Sequence, residues 1–407
     1  MYENPYKFQG PLAPIEDSLV CVPRKDDVGF IIEKIKRREY VAIQGPRQIG
    51  KTTLLLLVKN QYKSADYAYI NFEVTPIKEK GFYQWLVDKL LEKISCKKSE
   101  FTITGEYPDV SFINFLKNLK SKEEKIILLF DEIDRIDFLK GFLHVWRNVF
   151  HESLENKKLQ RYAIITTSSM DLLKVPSGRN SPFNISTIFN LKDLPEEESE
   201  ELIDKPFEEL KIKITTEAKQ ELLSQISGHP QLLQHACYLL VEKAKSKKEL
   251  TETDVHEAIK RLMVDNSVLT TLKNNINDND ALRDLVKSII KKNKPKKFHP
   301  YKDFALLGAG AIKEENSLCK IRNEVFKKFI IDILKNPIKY PKGEKGVKEK
   351  KSKMTITRKS NPLIILIASS VIAGFMGALA TNPIGIIGAG FLLLLSILYF
   401  IFYPPKA

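Results

Sequence analysis

Gly45, Gly50, Lys51 and Thr52 stand in the order Gly-x-x-x-x-Gly-Lys-Thr, residue types and a spacing that can hold a phosphate. Glycines let the backbone wrap closely around phosphate oxygens, and the amides of a helix N-terminus point at the anion. In such a cradle Lys51 reaches the β- and γ-phosphates of ATP, and the Thr52 hydroxyl holds Mg²⁺. Pro46, Arg47, Gln48, Ile49 and Thr53 complete the candidate nucleotide-binding loop. The pattern has force only where a strand precedes it and a helix follows. The apolar run Tyr40–Ile43 predicts the strand, and the Leu-rich segment Thr53–Lys59 predicts the helix.

A second group lies in Lys125–Asp134, Lys-Ile-Ile-Leu-Leu-Phe-Asp-Glu-Ile-Asp. The unbroken apolar run Ile126–Phe130 predicts a central parallel strand buried on both faces. Such a strand ends at the sheet edge where ligands bind. Asp131 would stand opposite the P-loop as a Mg²⁺ ligand, and Glu132 beside it could orient and deprotonate an attacking water. The other reading of an Asp-Glu pair is an acidic helix N-cap. Tyr162–Thr167 predicts another buried strand; the polar residues at its end, Thr166 to Ser169, either sense the γ-phosphate or cap a following helix.

The elements that must position these groups alternate. Helices are predicted over Asp26–Arg38, Phe82–Ile94, Phe112–Leu119, Ile136–Leu154 and Pro195–Ile203, and further strands over Tyr67–Phe72 and Ile185–Leu191. Strands alternating with helices predict an α/β fold, a three-layer parallel-sheet P-loop NTPase domain over residues 1–205, its N-terminal segment extended. After about residue 205 the β pattern stops. Thr215–Ser227, Pro230–Lys245 and Thr251–Leu262 predict a helical lid over 206–275, each helix with a capping signal. His229 and Pro230 could touch the nucleotide from that lid, or simply start a helix. Helix Asp280–Lys291, a short hairpin unit with the runs Tyr301–Leu307, Ala311–Glu314 and Leu318–Ile321 around Gly308-Ala309-Gly310, and helix Asn323–Leu334 predict a winged-helix-like module over 276–335. Such modules bind DNA in some proteins and only pack or signal in others.

Composition narrows the classes. Cys21, Cys96, Cys237 and Cys319 are far apart with no Cys-x-x-Cys pair, which argues against a disulfide frame or a zinc site. No apolar run near the N-terminus predicts a cleaved secretory signal. Of a net charge of +14, Lys335–Lys359 carries +8, from ten Lys/Arg against two Glu. That stretch, with four Pro/Gly, predicts a polar linker over 336–361 without fixed structure. Pro362–Ala380 and Ile384–Phe402 then run 19 residues each without a charge, the length a helix needs to cross about 30 Å of hydrocarbon. Thr381-Asn382-Pro383 between them predicts a turn, so 362–403 reads as a transmembrane hairpin of two helices. Arg358 and Lys359 before it and Lys406 after it place both termini in the cytoplasm, at a cell membrane. A polybasic segment beside a membrane helix attracts anionic lipid heads. Nucleic acid is the second candidate partner, through the winged-helix-like module and the same lysines.

With a P-loop, an Asp-Glu strand end, a helical lid and a winged-helix-like end, residues 3–335 resemble the STAND and archaeal-type ATPases related to the AAA+ group, and more closely the bacterial "AAA-like domain" proteins. The resemblance rests on Asn4-Pro5-Tyr6, Gly10-Pro11-Leu12, Gly45 to Thr52, Ser181-Pro182-Phe183-Asn184 and Gly228-His229-Pro230. It implies an ATP-binding, ATP-hydrolysing switch between a closed ADP form and an assembled, homo-oligomeric ATP form. It also implies Gly228 to Pro230 as a lid segment approaching the nucleotide, Pro23 and Arg24 near the base, and a context in bacterial defence or stress signalling. The chain departs from the pattern in two places. It has no Met-His-Asp motif near its end, and no Arg follows Thr167–Ser169, which leaves Arg135 and Arg161 as candidates for an arginine finger. No sensor repeat array and no protein partner is identified by the sequence.

Overall fold

The computed structural model describes residues 3–76, 78–94, 100–169, 185–299 and 306–335. Two compact units make up the chain, Met1–Ile338 and Lys339–Ala407, and all described residues fall in the first. The linker expected over 336–361, the hairpin expected over 362–403 and the segment 181–184 lie outside the described residues. Among the described residues no helix is long and apolar enough to cross a membrane.

Strands β1 (Tyr40–Gln44), β2 (Asp66–Asn71), β3 (Ile126–Asp131), β4 (Tyr162–Ser168) and β5 (Ser186–Asn190) form one sheet in the order β2-β3-β4-β1-β5. Every pairing in it is parallel. Side chains alternate across a strand, and β3 shows the consequence. Ile126, Leu128 and Phe130 enter one hydrophobic cluster, Ile127 and Leu129 the other. Helices α1 (Lys25–Lys36) and α2 (Lys51–Gln61) cover the second face. Helices α3 (Glu79–Ile94), α4 (Pro108–Asn118) and α5 (Leu139–Ser153) cover the first. The sheet is thus buried on both sides, and its strands can be apolar without interruption. The helix expected from Ile136 to Leu154 starts later: a 3₁₀ turn spans Ile133–Arg135, Ile136 is extended, and α5 begins only at Leu139. The break lets the chain leave the sheet edge after Glu132, whose backbone is left-handed (φ +55°).

Beyond β5 come α6 (Glu196–Glu209), α7 (Thr216–Ile226), α8 (Pro230–Ala244), α9 (Glu252–Val264), α10 (Ser267–Asp278), α11 (Asp280–Lys292) and α12 (Glu324–Lys335). Several are capped by side chains with free oxygens. Thr215 accepts from Ala218 N, and Thr251 with Asp254 forms a capping box. Helix α10 was not expected; Asn266, which accepts from Val268 N and Leu269 N, is its start signal. Strand structure persists past residue 205. β6 (Lys213–Ile214) pairs with β7 (Glu249–Leu250), and β8 (Lys296–Lys297), β9 (Ile312–Glu315) and β10 (Leu318–Ile321) pair in the order β8-β10-β9. The hairpin expected in the last module is present as β9 and β10, while β6, β7 and β8 were not expected. Pieces of two residues are too short to show a period. One hydrophobic cluster runs through these helices, from Leu202 to Ile330.

The N-terminal segment is clipped onto those helices. The Tyr6 hydroxyl donates to Leu202 O at 2.9 Å. Asn4 Nδ2 donates to Tyr238 O at 2.9 Å, and the Phe8 ring stacks on His235 at 3.8 Å.

Candidate active site

The cradle is built where β1 stops and α2 begins. Gln48 (φ +61°) and Gly50 (φ +93°) both take left-handed backbone, which turns the loop back on itself. Gly50 offers no capping side chain, so the first amides of α2 have no side-chain acceptor and face the site. A Cβ at Gly45 would meet Ile49 Cγ2 at 3.2 Å, so the loop is tightly closed there. Lys51 is buried and folds back, its Nζ donating to Gly45 O and Pro46 O at 2.9 Å each. Burial pushes its pKa down to about 8, partly offset by the charges of Asp134, Asp131 and Glu132.

Asp131, at the end of β3, is 1% exposed and accepts three hydroxyls. Thr52 Oγ1 lies at 2.8 Å, Tyr69 OH at 2.9 Å, and Thr167 Oγ1 donates to the other oxygen. Glu132 N donates to Thr167 Oγ1 at 3.0 Å, so one threonine braces both acids. The Glu132 carboxylate stays partly open to solvent, with Arg135 Nε at 3.5 Å. A left-handed glutamate costs energy and is tolerated where the surroundings fix it.

These groups share a cleft of about 460 Å³. Arg47, Gln48, Gly50, Lys51, Thr52, Thr53, Asp131 and Glu132 form one wall; Gly10–Leu12, Val20–Val22, Leu202, Pro230, Gln231 and Gln234 form the other. The donor set fits a nucleotide with a divalent ion. The cradle supplies helix-end amides and a lysine, and Thr52 with Asp131 supplies hard oxygen ligands within 2.8 Å of each other.

Other predicted residues sit elsewhere. Gly45 and Pro46 line a neighbouring cavity, and Ile49 is a core residue. Arg24 reaches the cleft, but its guanidinium is engaged by Asp27 at 2.7 Å and Lys192 O at 2.8 Å. Pro23 and His229 are not among the residues lining the cleft. His229 is buried, caps α8 through Nδ1 (Leu232 N at 3.5 Å) and packs its ring on Phe326. Burial, and then the Arg322 charge, push its pKa down to about 3. Three contributors were not expected: Tyr69 from β2, the Gly10–Leu12 strap, and the pair Gln231 and Gln234. The two glutamines hold the chain on either side of the strap, Gln231 Nε2 donating to Phe8 O at 3.1 Å and Gln234 Nε2 to Val20 O at 2.7 Å.

A family model described as "AAA-like domain" matches residues 14–332. The chain belongs to that family. This AAA-like chain is an ATPase of the P-loop class. Its fold is similar to that of a Walker-type ATPase of Pyrococcus abyssi, at TM-score 0.56 and 16% identity, over 79% of this chain and 99% of that one. Weaker likenesses include the RuvB Holliday junction branch migration motor of Thermotoga maritima (TM-score 0.40, 15% identity, 79% and 98% covered). Another is Cdc6p from Pyrobaculum aerophilum (TM-score 0.41, 14% identity, 81% and 97% covered). No curated protein matches the AAA-like chain in sequence.

Proposed function

We propose that the chain is a membrane-anchored ATP switch of the STAND type, in which the bound nucleotide controls self-association. The supporting observation is that the phosphate loop is bonded directly to the helices after the sheet. Gln48 Nε2 donates to Ser267 Oγ at 3.0 Å. Pro46 packs so closely on Gly310 that a Cβ there would meet the proline Cβ at 3.2 Å. A loop that reshapes around phosphates therefore moves α10 and the β9 region with it. In this reading α6–α10 are the lid, and α11, β8–β10 and α12 are the winged-helix-like module.

ATP with Mg²⁺ supplies the phosphoanhydride and the charge neutralisation that cleavage needs. Lys51 leaves the carbonyls of Gly45 and Pro46 and turns to phosphate oxygens. Thr52 and Asp131 would hold the ion, which would neutralise phosphate charge, and Tyr69 and Thr167 keep Asp131 in place. Glu132, held by Thr167, takes a proton from the attacking water. The hairpin at 362–403 would anchor the chain, and the lysines of 335–359 would rest on anionic lipid heads.

The test is solution mass by light scattering on the full chain in non-ionic detergent, in Glu132→Gln, with Mg·ADP and then Mg·ATP. A defined oligomer with ATP alone is the expected result. An unchanged mass under saturating ATP would refute nucleotide-driven assembly.

A further inference from the structure

The edge of the sheet opposite the nucleotide gathers positive charge. Three neighbouring strands each receive a cation just before they begin. Lys125 directly precedes β3, Arg161 directly precedes β4, and Arg38 stands two residues before β1. Ile126 pairs with Tyr162 in the ladder, and Ile126 N donates to Arg161 O at 2.9 Å. The sheet itself therefore sets Lys125 beside Arg161. Lys157 and Lys158, from the turn after α5, join them around a concave pocket of about 490 Å³, whose one acidic lining residue is Glu124.

Arg161 is the informative member. Arg38 Nη1 donates to Gln160 Oε1 at 3.0 Å, and Lys125 Nζ reaches Tyr62 OH at 3.4 Å. Arg161 Nε and Nη2 are shut off from solvent and have no acceptor among the described residues. The guanidinium carbon lies 5.7 Å from the centre of the Tyr162 ring. Donors shut off from water are equally shut off from a phosphate oxygen, so Arg161 acts on the pocket it lines as a fixed, poorly solvated charge, which an anion held in the pocket offsets. The pocket is not an annex of the ATP cleft. β1 and β3 run five and six residues from this edge to the P-loop and Asp131, about 16–20 Å at ~3.3 Å per residue. A triphosphate held by Lys51 does not span that distance.

We propose that this pocket binds a phosphoryl or pyrophosphoryl group, with Lys125, Lys157 and Lys158 as the donors and Arg161 as a fixed charge behind them. The chemistry is shared by a soluble phosphate ligand and a phosphorylated lipid headgroup. The test is calorimetric titration of inorganic pyrophosphate into the full chain in non-ionic detergent, with Mg²⁺ and a non-hydrolysable ATP analogue filling the P-loop. One saturable site is expected, weakened about ten-fold or more by Arg161→Ala. Lys158→Glu, at an exposed position outside the core, is expected to weaken it several-fold and decides the matter if Arg161→Ala folds poorly. Displacement of pyrophosphate by a short-chain, water-soluble phosphatidate supports the site with a lipid headgroup as ligand; binding without displacement supports it with a soluble one. Absence of saturable binding in the unsubstituted chain, or unchanged affinity in Lys158→Glu and folded Arg161→Ala, overturns the proposal.

Discussion

At the scale of single residues, Lys51 carries a charge that its burial penalises. Its pKa is pushed down to about 8 by burial, against 10.5 in the unfolded chain. Between those values the unfolded state holds more protons, so the fold gains stability as pH rises through the window. Bound phosphates favour the charged amine and reverse the balance. ATP affinity is therefore expected to be highest below pH 8 and to fall above it, with proton uptake on binding at pH 9. Calorimetry in two buffers of different ionisation enthalpy reads that uptake directly. Lys51→Arg, which keeps its charge, should abolish it; the same uptake in that variant would show that another group titrates. Glu132 has a separate role. Glu132→Gln should lower turnover by about 10²–10⁴-fold, the range for loss of a general base, with ATP affinity kept. Single-turnover hydrolysis beside equilibrium binding separates the two, and equal losses in both would make Glu132 a binding residue. The P-loop residues and the acidic pair were legible because each group is contiguous in the chain. Tyr69 was not, since it meets Asp131 only through the sheet: the register sets Asn71 opposite Asp131, and Tyr69 reaches the carboxylate from two residues earlier on β2.

At the scale of elements, the turn between α7 and α8 is the tightest joint. Gly228 has φ +76°, and a Cβ there would lie 2.1 Å from Leu194 O, a backbone atom with no room to retreat. Leu194 N also donates to Gly228 O at 2.9 Å. Gly228→Ala should destabilise the fold by about 3 kcal/mol or more, through clash and strained backbone together. Gly10→Ala is the control. Gly10 has nearly the same φ, +75°, with nothing within 4 Å, and should cost only about 1–2 kcal/mol. Denaturant unfolding compares them, and equal losses would mean that φ alone explains Gly228. The elements flanking this joint were readable from sequence where burial is lopsided. The central strand Ile126–Asp131 and the helices with caps at Thr215, Thr251 and Asn279 announce themselves by apolar runs and start residues. The ladder of Lys213–Ile214 with Glu249–Leu250 does not, because two residues define no period and the partner lies 36 positions away. His229 shows the limit of motif reading. Gly228-His229-Pro230 marks a real structural joint, but the imidazole serves the helix cap and the core rather than the cleft.

At the scale of the whole folded unit, one ion pair ties the end of the sheet to the last module. Arg322, just after β10, meets Asp193, just after β5, through Nε at 3.0 and 3.1 Å and Nη2 at 2.9 Å. The side chains are 5% and 14% exposed. Removing one partner of such a pair leaves a buried charge and costs about 3–5 kcal/mol, whereas removing both costs less. The pair borders the same cavity as Gly45 and Pro46. If the switch works by moving the module against the phosphate loop, this pair holds the closed arrangement, and opening must break it. Arg322→Ala should then release ADP faster, by about ten-fold if only part of the pair's energy resists opening. It should also lower the ATP concentration needed for self-association. Asp193→Ala with Arg322→Ala should release ADP as fast as the single variant while recovering part of the lost stability. That divergence between release rate and stability separates a latch from a staple. Stopped-flow release of a fluorescent ADP beside thermal unfolding measures both quantities. A single variant that melts earlier but releases ADP at the unsubstituted rate would show that the pair only stabilises the fold and that the switch is held elsewhere, at Gln48–Ser267 or Pro46–Gly310.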